Sequence, residues 1–241
     1  MKKLNKTAEL MWVLGVMFVA LGVSICSKAS LGVSMIAAPA FILNEVLSPI
    51  VPALSVGVTE YVFQGVLLIT ICVIVRRFNW RYLLAFAAAV LYGYTLNLFL
   101  WILGGVSFEG VLLRWVMLIV GDGITAFGVA CFFRTYLPLQ VYELFVAEVA
   151  SRFRFSVNKV KWSFDISLLA ISVLLALVLF DDAGSFNWAS IYYNSFHNIG
   201  LGTLVTTLIN SPIIAFFGKL LDKVSDPTAR FPKVEKVLKI Q

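Results

Sequence analysis

Apolar residues run almost unbroken through six stretches of the chain, near residues 10–27, 57–76, 82–103, 112–132, 162–180 and 197–221. A helix needs about 20 mostly apolar residues to cross about 30 Å of hydrocarbon, so each stretch predicts a spanning helix. Two further segments are apolar but interrupted. Residues 30–48 carry Pro39 near their centre among small residues, and residues 137–153 carry Glu143 and Glu148. Each predicts a broken element: a short spanning, re-entrant or interfacial helix.

The polar residues between the stretches fix an orientation, because lysine and arginine accumulate in cytoplasmic loops. With six spans, Lys2, Lys3 and Lys6, then Arg76, Arg77 and Arg81, then Arg134, Arg152, Arg154, Lys159 and Lys161, then the tail from Lys219 to Lys239 all share one side. Glu45, Glu109, Asp181 and Asp182 fall on the other. A full crossing by residues 30–48 alone would move the Arg76 group across the membrane and destroy the pattern. The expectation is a bacterial cytoplasmic-membrane protein with both termini and the 76–81 and 134–161 loops inside, and the 104–110 and 181–196 loops outside. Lys28 is the outer exception.

Composition agrees with lipid as the solvent. Of 241 residues, 61% are apolar and 13% charged, against about 45–50% and about 25% in soluble domains. Nucleic-acid readers, cytosolic enzymes and secreted disulfide domains are thereby excluded, and the net charge of +6 reports topology. Cys26, Cys72 and Cys131 lie in apolar runs without CxxC spacing, and His197 is the single histidine, so neither a zinc site nor a disulfide framework is expected. Lys2, Lys3 and Lys6 before residues 10–25 have the layout of a secretory signal, but no clear cleavage pattern follows and the first helix is read as uncleaved. Trp12, Trp80, Trp101, Trp115, Trp162 and Trp188 near span ends form an aromatic belt.

A weak internal repeat organises the chain. A displacement of 106 residues sets Gly22 on Gly128, Lys28 on Arg134 and Leu31 on Leu137; one of 101 sets Phe63 on Phe164, Tyr61 on Trp162 and Gln64 on Asp165. Each half then reads as helix, broken element, helix, helix. An odd number of spans per half puts the halves in opposite orientation, the inverted-repeat plan of secondary transporters. The fold class expected is an all-α integral membrane protein of six spans, with one repeat over residues 1–110, a second over 111–222 and a basic cytoplasmic tail over 223–241.

The run from Leu21-Gly22 through Lys28-Ala29-Ser30-Leu31-Gly32-Val33-Ser34 resembles the opening motif of the bacterial YczE/YyaS/YitT-type membrane proteins. Tyr92-Gly93-Tyr94 with Asn97, and Gly200-Leu201-Gly202-Thr203, are similar to later segments of that group. The chain departs from the pattern at Met35, where proline is usual, and at Asn97, where an acidic residue is common. The resemblance implies a polytopic bacterial membrane protein and transport.

Few residues are candidates for chemistry. Asp122, between Gly121 and Gly123 in the fourth span, must face protein or water; it is either an ion-coupling carboxylate or a hydrogen-bonding partner across a small-residue seam of Gly121, Thr125 and Gly128. Asp165 reads as an ion pair with Lys161 near a helix start, or with its repeat mate Gln64 as a substrate contact. Thr203, Thr206, Thr207 and Asn210 share one helical face that lines a cavity or another helix, and Pro212 should loosen that helix. Asn97 is a further polar candidate. His197 reads as an interfacial residue beside Asp181 and Asp182. No nucleophile motif, phosphate loop, metal cluster or nucleotide fingerprint is present, so no enzyme activity and no cofactor are expected.

The expected function is transport or conduction of a small polar or anionic solute. The rival is a membrane scaffold or regulatory subunit that docks through its cationic loops at 134–161 and 219–239; a homo-oligomer is open to either. Lys28 and Arg134, superposed by the repeat and each placed where a span gives way to a broken element, suggest a pair of anion-attracting gates, or simply snorkelling anchors.

Overall fold

The computed structural model describes residues 7–80, 82–180, 192 and 195–224. Lys2, Lys3, Lys6, Arg81, Asp181, Asp182, Trp188 and the tail beyond residue 224 lie outside the described residues. The elements are α1 (Ala8–Ala29), α2 (Ala38–Leu47), α3 (Val56–Val75), α4 (Tyr82–Ile102), α5 (Val111–Phe132), α6 (Val141–Phe153), α7 (Val157–Leu179) and α8 (Leu201–Val224). All but α2 and α6 are long and apolar enough to cross a membrane. The chain is a multi-pass membrane protein.

Two boundaries differ from expectation for local reasons. Helix α7 begins at Val157, not near 162, because Ser156 caps it by accepting from the Lys159 N–H at 3.4 Å, so a polar turn precedes the apolar run. Helix α8 begins at Leu201, not at 197. His197 and Asn198 have positive φ values of 43° and 66° between Phe196 and Ile199, which bridge to each other in a tight turn. His197 therefore precedes the span instead of opening it.

The broken elements are half-length helices. Helix α2 has 10 residues and α6 has 13, or about 15 and 20 Å at 1.5 Å per residue, short of a 30 Å crossing. Pro39 does not break its segment centrally as expected. Residues 30–37 approach as non-helical chain, and Pro39 stands in the first turn of α2, where its missing N–H leaves no hydrogen bond unmade.

The molecule is inside out relative to a soluble protein. Val66, Ile69, Val73, Leu112, Val116 and Ile119 face outward, while Glu60, Gln64, Asp122, Asp165 and Asn210 are at most 3% exposed. In water such an apolar surface is a liability, and in lipid it is the required solvent contact. The bundle is organised on the antiparallel pair α1 and α5, which make the most extensive helix contact. Glycines let them touch: Gly22 lies on Gly121 and Thr125, and Gly128 lies on Gly15 and Val19. This is the seam expected beside Asp122, and because lipid tails are as apolar as the side chains, the two helices gain chiefly from such close packing. Around that pair, α4 packs on α1 and α8 on α5, while α6 lies on α3 and α2 on α7. A second close approach, Gly57 on Gly93, joins α3 to α4.

Candidate functional site

Beneath the α1–α5 crossing, the starts of α2 and α6 meet α3 and α7 around a cavity of about 30 Å³, room for roughly two waters. Its lining comes in matching positions from the two halves of the chain. Val19 and Val23 of α1 face it with Thr125 and Val129 of α5; Ser34, Ile36 and Ala37 before α2 face it with Gln140, Tyr142 and Glu143 at the start of α6. All five pairs are 106 residues apart. Glu60 of α3 and Lys161 of α7 are 101 apart, and Tyr92 of α4 and Asn210 of α8 complete the ring.

Short polar contacts hold these groups in place. Tyr142 donates its hydroxyl to Glu60 Oε1 at 2.8 Å. Gln64 Oε1 accepts from the Val141 N–H at 3.3 Å, one of the free donors at the start of α6. Lys161 Nζ donates to both Asp165 oxygens at 3.1 and 3.2 Å. Asn210 Nδ2 donates to Asp122 Oδ1 at 3.2 Å. Several atoms remain without a protein partner among the described residues: Glu60 Oε2, Glu143 Oε2, Asp122 Oδ2, Asn210 Oδ1, and the amide nitrogens of Gln64 and Gln140. Buried polar atoms of this kind normally find water or a ligand.

The structure thus gathers Asp122, Asn210, Gln64 and Asp165, four of the expected residues, at the bundle centre. The Lys161–Asp165 pair exists as expected but sits two turns into α7 and buried, so Lys161, counted with the cytoplasmic loop cations, is instead an interior cation. Thr203 and Thr207 support the start of α8: Thr203 Oγ1 accepts from the Gly200 N–H at 3.3 Å, and Thr207 Oγ1 donates to the Thr203 carbonyl at 2.6 Å and lies 2.8 Å from Met35 Sδ. Asn97 ties α4 to the start of α3, accepting from the Gly57 N–H at 2.9 Å and donating to Ser55 Oγ at 2.7 Å. His197 and Asn198 both bond Glu45, each at 2.8 Å, at the end of α2. Sequence reasoning missed Glu60, Gln140 and Tyr142 altogether, and met Tyr92 only within the Tyr92-Gly93-Tyr94 motif, not as a site residue. The 101-residue register that paired Gln64 with Asp165 also pairs Glu60 with Lys161, and that was the available signal.

Lys28 and Arg134 lie at opposite ends of the bundle, away from the cavity. Lys28 borders an open vestibule of about 590 Å³ with Arg114, Glu45, Asn44 and Phe41, and donates to the Gly104 carbonyl at 3.3 Å. Arg134 is engaged by Asp222 through two bonds of 2.7 and 2.8 Å. At that same end Tyr136 donates to Glu9 at 2.6 Å and Trp12 to the Pro138 carbonyl at 2.9 Å, so among the described residues one end carries the open vestibule and the other is latched by these contacts. Among the described residues no group of three His, Cys, Asp or Glu side chains is placed to hold a metal ion.

A family model of this sequence class matches residues 6–219, nearly the whole membrane portion including every residue of the cavity. The chain belongs to DUF6198, a family of unknown function. No curated protein and no solved structure matches it.

Proposed function

We propose that the protein is a transporter that carries a small polar or positively charged solute through the central cavity, with two inverted halves exchanging the open and latched ends. The observation that carries this reading is the paired lining of the cavity, because a site built from equivalent positions of two opposed halves can be reached in turn from either side. Part of the helix pairing supports it: α1 with α4 matches α5 with α8, and α3 with α6 matches α7 with α2, whereas the extensive α3–α4 contact has no equally extensive α7–α8 counterpart among the described residues.

The layer between vestibule and cavity is thin. Ser27, Phe41 and Val56 line the vestibule; Val23, Ala37 and Glu60, each one helical turn away, line the cavity. One turn is about 5.4 Å. Phe41, Leu96 and Val33 fill this layer as one apolar cluster, a barrier that rotation of a few side chains removes. The latched end has the Arg134–Asp222, Tyr136–Glu9 and Trp12–Pro138 contacts to break. A scaffold has no use for a vestibule poised one turn above a polar centre, so the transport reading is preferred to the scaffold, and to a chemical role.

The anionic version of the solute loses support. Arg134 is occupied by Asp222, and among the described residues the centre holds Glu60, Asp122, Glu143 and Asp165 against Lys161. We read the open end as external, with the termini cytoplasmic in a bacterial inner membrane, from the placement of Arg76, Arg77, Arg152, Arg154, Lys219 and Lys223 at the opposite end. The relationship to the YczE/YyaS/YitT-type proteins belongs to the same proposal and rests on the Lys28-to-Ser34 motif. Thermal-shift screening of small polar solutes on purified protein, followed by uptake of the stabilising compound into proteoliposomes, tests the reading. Saturable uptake supports it, and a specific ligand that is bound but never carried contradicts it.

A further inference from the structure

Glu60 and Glu143 are the two carboxylates that line the central cavity, and each keeps one oxygen, Oε2, without a protein partner. Neither has a cationic side chain within ion-pair distance among the described residues; the ion pairs there are Arg134–Asp222, Lys161–Asp165 and His197–Glu45. Asn210 also lines the cavity, its Nδ2 committed to Asp122 and its Oδ1 unpartnered. Three buried, unpartnered acceptors therefore belong to residues around a space about the size of two waters, with the Gln140 amide nitrogen as the unpartnered donor. Lys161, which also lines the cavity, is paired with Asp165 on α7, and Asp122 accepts from the neutral Asn210 amide between α5 and α8 while its Oδ2 stays unpartnered.

A buried carboxylate without a counter-charge is strongly unfavourable in a low-dielectric interior, so each of the two is either protonated or faces a positive occupant, and one protonated with one ionised leaves a single negative charge to be matched. We propose that it binds one small monovalent cation, of the size of sodium, potassium or ammonium, held by Glu60, Glu143 and the Asn210 amide oxygen. A divalent ion takes about six or more oxygen ligands in a defined geometry, more than three acceptors and the space of about two waters supply, and a bulky organic cation does not fit that volume. Tyr142 supports the assignment by donating to Glu60 Oε1, which orients Oε2 as the free acceptor. The inference rests on reading this cavity as the solute site and names the ion that occupies it.

The test uses the full-length purified protein in detergent, melted in sodium, potassium or ammonium chloride against choline chloride at equal ionic strength and at several pH values. One or more of the small cations should raise the melting temperature saturably where choline does not. Glu60→Gln and Glu143→Gln should each weaken the apparent affinity about ten- to a hundredfold, the loss expected for one charge-assisted contact, while Arg154→Gln at the exposed end of α6 leaves it unchanged. If a glutamate variant fails to fold, Asn210→Ser supplies the same comparison. Equal stabilisation by choline, or stabilisation that follows pH alone, overturns the cation and assigns the cavity to a proton. Neither result touches the transport reading, which is decided by uptake and by access to the cavity from the two ends.

Discussion

Replacing Gly22 with alanine should destabilise the bundle, whereas replacing Gly123 on the facing helix should not. A Cβ on Gly22 stands 2.6 Å from the Thr125 backbone nitrogen and 2.5 Å from the Gly121 carbonyl oxygen. Both are backbone atoms of α5, so no side-chain rotation relieves the clash. Restoring an ordinary contact requires α1 and α5 to part by roughly 0.8 Å, and strain of that kind costs about 1–3 kcal/mol. At about 2–4 °C per kcal/mol for a chain of this size, the melting temperature should fall by roughly 2–12 °C. A Cβ on Gly123 meets nothing within 4 Å, and alanine there gains up to about 1 kcal/mol of helix propensity. Thermal unfolding of the two variants in one detergent makes the comparison. Equal melting temperatures, or a fall for Gly123→Ala as large as that for Gly22→Ala, would refute the α1–α5 seam.

Further outcomes follow from single contacts. Tyr142→Phe removes the donor to a fully buried Glu60 and should cost about 1–3 kcal/mol of thermal stability; an unchanged melting curve would mean that the pair does not form. Asn97→Ala removes the bonds at the start of α3 and should cost about 1 kcal/mol, the value of a helix cap. Asp122→Asn should keep the fold, since an amide can still accept from Asn210, but should alter the pH dependence of transport if Asp122 carries the coupling proton; an unaltered profile would assign it to packing. Membrane-impermeant thiol reagents should label Ser107→Cys from outside intact cells and Arg154→Cys only after lysis, and the opposite result would invert the topology.

How far the chain could be read without coordinates depended on the physics of each element. The six spans were legible because lipid tolerates little but apolar residues over 20 positions. The two broken elements were legible as interruptions, yet Pro39 was placed mid-element because a proline can break a helix or begin one, and only the preceding chain decides which. Asp122 was conspicuous in the middle of a span. Glu60 was not, because it stands one turn inside α3, where an acidic residue passes for an interfacial one. Its burial comes from α6, whose return into the bundle no local pattern encodes. Lys161 was hidden for the converse reason: it belongs by sequence to a basic loop, and the Ser156 cap turns that loop into helix.

The claim that matters most is that one polar centre is reachable from the two ends in turn, and Ser34 reports it directly. Ser34 lines the cavity and is buried. In a background with Cys26, Cys72 and Cys131 replaced, Ser34→Cys in oriented membrane vesicles should react with a thiophilic ion of atomic size, such as silver, from the vestibule end. After Arg134→Gln and Tyr136→Phe remove two of the latch contacts, reaction should rise from the opposite end and fall from the vestibule. Labelling that the latch variants leave unchanged, or a Ser34→Cys thiol that reacts from neither end, would contradict alternating access.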